Sequence, residues 1–240
     1  MKKTSKLITK GLLAAVLLVS MSANSVSAAG TYKDVPATHK AAESIKYLTE
    51  REIITGFTDN TFRPEVAVTR AEASRIITGA TTYVGVYYPA TNQRKMASFT
   101  DLRKNHWYTE SITSMYKNRL LNGFSSKSFR PEEAVTKAQL AKIISDAFQM
   151  KNVSVKLKYT DVKVKGWYEP AVKNLFAAGI ITDSGTQFKP NHKMSRAEVS
   201  QYVERAMIFY MDRDDVEPGP NAPIDDSGEE LVPWDGTFPF

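Results

Sequence analysis

Apolar residues recur along this chain in two alternating patterns, and the pair of patterns occurs three times. A first stripe places Ile45 and Leu48 on one helical face and runs into Ile53-Ile54; Ile112, Met115 and Leu120-Leu121 repeat it, as do Val172, Leu175 and Ile180-Ile181. A second stripe carries Ala73, Ile76, Ile77 and Ala80, with counterparts Leu140, Ile143, Ile144, Ala147 and Val199, Tyr202, Val203, Ala206. Between the stripes lies a short run of turn-forming residues, Gly56 to Phe62 in the first copy and Gly123 to Phe129 in the second. The spacing therefore predicts helix–loop–helix units, none of which can bury its apolar face alone.

The start of each second helix is written into the chain. Thr69 with Glu72, Thr136 with Gln139 and Ser195 with Glu198 have the spacing of a capping box, in which hydroxyl and carboxylate or amide each satisfy a backbone N–H. Val68, Val135 and Met194 stand just before the caps, where a hydrophobic staple to Ala73, Leu140 and Val199 is expected. Gly179, ahead of the apolar pair in the third copy, suits a left-handed helix exit.

One feature of these starts is not asked for by helix formation. Arg70, Lys137 and Arg196 occupy the first helical position, where the helix dipole disfavours a cation by roughly 0.3 to 1 kcal/mol. The same mismatch at three corresponding positions points to a small anionic ligand, a carboxylate or phosphate, held by free helix amides and the side-chain cation. Exposed cations on a solvated face are the competing explanation.

The repeats occupy residues 30–84, 99–148 and 159–211, with connectors 85–98 and 149–158. Residues 1–29 read as a secretory signal peptide: Lys2, Lys3, Lys6 and Lys10 precede an apolar run from Gly11 to Met21, and small residues around Ala28 supply a cleavage site. That run is too short to span a bilayer, so no membrane insertion is expected after cleavage. Residues 212–240 are acidic and proline-rich and read as a disordered tail whose closing aromatic residues could recruit a protein partner.

Charge and composition narrow the partners. The net charge of +6 combines a basic leader and an acidic tail of net -8 with repeats that carry about +10. A basic exported domain meets wall polymers, acidic polysaccharide or lipid headgroups, and nucleic acid is not expected. The chain has no cysteine, so no disulfide or thiol chemistry enters. His39, His106 and His192 lack zinc-binding spacing and no serine sits in a nucleophile elbow, so neither metal, cofactor nor catalytic residue is expected. A glycosidase pair among the many carboxylates stays open.

Four motifs recur in order: Tyr32-Lys33-Asp34-Val35 and its copies at Phe99 and Tyr159; His106-Trp107-Tyr108 and Gly166-Trp167-Tyr168; Gly-Phe loops ending in Phe-Arg-Pro; and Thr69-Arg70-Ala71-Glu72. Together they resemble the S-layer homology domain family over roughly residues 30 to 210. The resemblance implies an all-α, pseudo-threefold fold in which three helix–loop–helix repeats surround a central three-helix bundle. It also implies a non-covalent cell-wall anchor on Gram-positive surfaces, binding a pyruvylated secondary cell wall polysaccharide in grooves between repeats. By that analogy Arg70, Lys137 and Arg196 hold the ketal carboxylate, and Trp107 and Trp167 pack on the sugar. Asp34, Asp101 and Asp161 order the loops or accept sugar hydroxyls, a turn-capping role being the expected one. Glu72, Gln139, Glu198 and the loop glycines Gly56 and Gly123 complete the candidate ligand-binding set.

The chain departs from the family pattern at Lys40, where repeat one should carry tryptophan, at Lys137 and Gln139, and at Asp183, which replaces the loop glycine of repeat three. Lysine cannot reproduce a guanidinium fork, so the three grooves are expected to be unequal. A wall hydrolase and an S-layer structural or adaptor protein are the alternative functions.

Overall fold

The computed structural model describes residues 32–213; the signal segment and nearly all of the acidic tail lie outside them. Six helices follow one another: α1 Ala42–Glu50, α2 Arg70–Tyr83, α3 Thr109–Lys117, α4 Lys137–Ala147, α5 Glu169–Ala177 and α6 Arg196–Met211. Among the described residues there is no strand, and the fold is all-α as the apolar spacing predicts. No described helix is long and apolar enough to cross a membrane.

Each repeat contributes a short outer helix and a longer inner one, and the outer helix packs on the inner helix of the preceding repeat. Thus α3 lies on α2, α5 on α4, and α1 on α6, which closes the order into a ring. The inner helix α2 also packs against both α4 and α6. Both stripes are buried as expected, including Ile45, Leu48, Ile112, Met115, Val172 and Leu175 from the outer helices. The apolar pairs that follow the outer helices are buried too. Gly179 adopts φ +69°, and the equivalent Glu52 and Arg119 adopt φ 55° and 64°, so every outer helix exits through the left-handed conformation.

The ring is locked at its centre by backbone hydrogen bonds between the residues preceding the three caps. Val68 N–H donates to the Met194 carbonyl (2.9 Å), Val135 N–H to Val68 (2.9 Å) and Met194 N–H to Val135 (3.1 Å), a closed cycle. All three side chains are fully buried. These residues are about 60 or more positions apart, so the cycle forms only when the three repeats have assembled.

Candidate functional site

The three capping boxes form as the sequence spacing requires. The side chains of Thr69, Thr136 and Ser195 accept from the N3 amides, while Glu72, Gln139 and Glu198 reach back to the cap amides at 2.7, 3.0 and 2.8 Å. His192 also contacts the Glu198 carboxylate at 2.9 Å.

The next two amides of each helix are not free, and this corrects the expectation that they would face an anion. Arg70 and Ala71 donate to the carbonyls of Glu133 and Pro131, Lys137 and Ala138 to His192 and Pro190, and Arg196 and Ala197 to Val66 and Pro64. Every acceptor belongs to the following repeat in the ring. With the capping boxes, these bonds satisfy all four amides that an isolated helix start leaves open.

The arginines at the first position have partners of the same kind. Arg196 Nε donates to the Phe62 carbonyl (2.8 Å) and its Nη2 to Thr55 (2.7 Å), bridging both ends of the repeat-one loop. Arg70 does the same to repeat two through Phe129 (3.1 Å) and Asn122 (2.7 Å). Lys137 has no fork and instead donates Nζ to the Asp183 carboxylate of repeat three. The arginines are 6% and 7% exposed. Burial pulls Arg70 down to about 10, against the opposing effect of Glu133, so it remains charged at neutral pH; burial also lowers Arg196. The helix-start mismatch is thus partly explained by carbonyls that the neighbouring repeat supplies.

The three loops that these cations meet are pinned from inside their own repeat by the aspartates. Asp34 accepts from the amides of Phe62 and Arg63, both at 2.7 Å, and Asp161 from Phe188 and Lys189, both at 2.7 Å. Asp101 accepts from Phe129, Arg130 and the Ser128 hydroxyl at 2.8 to 2.9 Å. The pinned basic residues Arg63, Arg130 and Lys189 stand at φ 58°, 60° and 59°, a left-handed conformation that costs a non-glycine residue roughly 1 to 2 kcal/mol. The carboxylate forks hold that conformation, so the aspartates order the loops.

The two loop glycines are required by close approach rather than by dihedral angle. A Cβ at Gly123 would stand 2.4 Å from Phe99 Cε1 and 2.8 Å from the Ser125 carbonyl; at Gly56 it would meet the Tyr32 ring. Phe99 is held in turn by Tyr116 and Phe129, with ring centroids at 5.1 and 5.7 Å. We expect Gly123→Ala to destabilise the domain by about 2 kcal/mol, as overpacking does, measurable as a lower denaturation midpoint in urea.

At the surface the same seams present aromatic faces beside cations. Trp107 is 47% exposed and Trp167 60%, each resting edge-on against its following tyrosine at 5.2 and 5.3 Å. Their faces are not core packing. Arg75 of α2 lies 6.0 Å from the Trp107 ring centroid, across the seam between repeats one and two. Lys40, in the corresponding place of repeat one, is exposed and carries no such ring.

Two aromatic residues absent from the candidate set also belong to the seams. Phe124 is partly exposed, with the Arg70 and Arg130 guanidinium carbons 4.9 and 4.1 Å from its ring centre. Phe57 stands likewise between Arg196 (5.2 Å) and Arg63 (3.8 Å). Their placement after the loop glycine was visible in the sequence, but their pairing with a cation from another repeat was not. Among the described residues no group of three His, Asp or Glu side chains is arranged to hold a metal ion.

Three helix–loop–helix units closed into a ring define a helical repeat domain with cation-and-aromatic seams between its units. The family model of the S-layer homology domain matches it three times, at residues 31–74, 98–141 and 158–200, and the chain belongs to that family. Among its relatives, the S-layer protein EA1 of Bacillus anthracis is 28% identical over 208 residues, covering 85% of this chain and 23% of that protein. A cellulosome-anchoring protein of Acetivibrio thermocellus is 28% identical over 155 residues, 64% of this chain and 33% of that protein. An uncharacterized cell wall amidase of Bacillus anthracis is 29% identical over 199 residues, 82% of this chain and 35% of that protein. The chain spans about a quarter of the length of the S-layer relatives it matches.

Proposed function

We propose that this chain is a non-covalent cell-wall anchor whose repeats bind a pyruvylated secondary cell wall polysaccharide along the seams. The observation that carries the reading is the exposed Trp107 face with Arg75 across the seam, in the same seam where Arg70 stands over the Phe124 ring. The seam between repeats one and two thus supplies both an aromatic plane for a sugar ring and cations for its carboxylate. Membership of the S-layer homology family supports cell-wall association. Arg70 and Arg196 contribute charge from behind the loops rather than through free helix amides, and the aspartates, glycines and capping residues shape the loops around them. Several weak sites on one polymer would add by avidity. For the wall hydrolase alternative the support is the name of the amidase relative, and among the described residues no His, Asp or Glu group is arranged to hold a catalytic metal.

Co-sedimentation with native walls, and with walls whose ketals have been removed by mild acid, tests this proposal. Native walls should retain the chain and ketal-free walls should not. Trp107→Ala should weaken retention about tenfold, the scale of a tryptophan that anchors an interface. Because the ring is only half buried, against His106 and Tyr108, the variant should stay folded with a loss of about 1 to 2 kcal/mol. Equal retention on both wall preparations would refute the proposal.

A further inference from the structure

Asp183 breaks the equivalence of the three seams. In repeats one and two the loop opens with glycine and phenylalanine, and the neighbouring arginine clasps it through two carbonyls. In repeat three the glycine is replaced by Asp183, the phenylalanine by Ser184, and the loop is one residue shorter. Lys137 therefore meets a carboxylate where Arg70 and Arg196 meet backbone oxygens. Lys158 Nζ donates to the Asp183 carbonyl and adds a second tie to this loop opening.

The relative exposure of the two partners shows which side the carboxylate occupies. The Lys137 side chain is 10% exposed and that of Asp183 40%, so the carboxylate lies between the ammonium and solvent. Neither Arg70 nor Arg196 has a carboxylate within ion-pair distance among the described residues. Among the described residues the Nη1 of each guanidinium has no protein acceptor, and it is not fully buried. Two seams thus keep a cation with no carboxylate in direct contact, although Glu133 and Asp101 act on Arg70 and Glu72 and Asp34 on Arg196 from farther off, and the third seam supplies a directly paired one.

We infer that Asp183 is a built-in stand-in for the ligand's carboxylate, so that the seam between repeats two and three is closed to anions and the domain takes two acidic sugars rather than three. This rests on the anchoring function proposed above. An incoming carboxylate at Lys137 would have to displace one already held within the same chain, whereas at Arg70 and Arg196 it displaces only water. Trp167 remains exposed on the closed seam, whose cation at the helix start is already paired.

Nuclear magnetic resonance titration of the full chain with a methyl hexoside bearing a pyruvate ketal tests the assignment site by site. The amide signals of Gly56 and Gly123 should shift saturably while that of Gly185 stays still. In Asp183→Gly the repeat-three loop should begin to respond, with at least a tenfold gain in affinity there. Asp183→Asn keeps the side-chain volume, removes the charge and should show the same gain should the glycine variant fail to fold. Saturation at Gly185 in the unaltered chain, at the concentrations that saturate Gly123, overturns the inference while leaving the anchor intact. Silence at the third seam in a folded Asp183 variant overturns it as well. Silence at all three loops of the unaltered chain overturns the anchoring function, and this inference with it.

Discussion

Arg70→Ala is expected to lower the unfolding free energy by about 3 kcal/mol, and Arg196→Ala by a similar amount. Each guanidinium makes two charge-assisted bonds to carbonyls at opposite ends of a neighbouring loop. Bonds to a charged group contribute roughly 1.5 to 3 kcal/mol each, and alanine would let water recover part of that sum. For a domain of this size the loss corresponds to a fall of roughly 6 to 12 °C in melting temperature, readable by circular dichroism. Arg70→Lys should fall in between, because an ammonium can reach one carbonyl but cannot span the loop as a planar fork does. A loss below about 1 kcal/mol for Arg70→Ala would mean that the guanidinium does not clasp the loop. The consequence for binding studies is direct: alanine at these positions alters the seam and the fold together, so wall retention is better probed through Trp107.

Asp101→Ala should cost about 3 kcal/mol by a different route. The carboxylate accepts from two backbone amides and a hydroxyl, and it holds Arg130 at φ 60° before a proline. Without it, the two amides lose a charged acceptor and the left-handed residue loses its restraint. The pH dependence identifies the cause. Burial tends to raise the Asp101 carboxyl, but the amides of Phe129 and Arg130 and the Ser128 hydroxyl outweigh it and hold it below the ordinary value of 3.8. A depressed carboxyl contributes its stability in full above the unfolded-state value, and that contribution disappears as pH falls through the folded-state value. The stability gap between the native chain and Asp101→Asn should therefore be constant above about pH 5 and shrink on acidification below about pH 4. Urea denaturation at successive pH values measures it, and a gap that persists unchanged to pH 2 would assign the effect to shape rather than charge. Glu204 and Asp146, raised by burial, work in the opposite sense and set a background common to both proteins.

The parts of the site that could be read in the chain are those whose partners lie close by. Thr69 and Glu72 satisfy each other's amides across three residues, and Gly179 takes its positive φ from the helix it ends. The turn role expected for the aspartates also held, although their acceptor groups reach amides 27 to 29 positions away. The repetition of the motif made that partnership legible. The cations were legible only as a mismatch. Their spacing showed that helix formation alone did not account for them, but the carbonyls that receive them come from another repeat, as far as 141 positions along the chain. Free helix amides were expected beside them, and the neighbouring repeat had already taken those amides.

The tryptophans mark the same boundary. A ring in this position can pack inward or lie on the surface, and both patterns look alike in one dimension; exposure of Trp107 and Trp167 depends on where the tyrosines beside them are buried. By itself the sequence determined the helices, their caps, the threefold recurrence and the family, because those follow from interactions within a repeat and from the repetition of motifs. Only the tertiary structure decided which repeat satisfies which helix start, that Lys137 is answered by Asp183, and which aromatic faces stay in solvent. The physical reason is that closing a ring of three units joins groups whose separation along the chain carries no information about their distance in space.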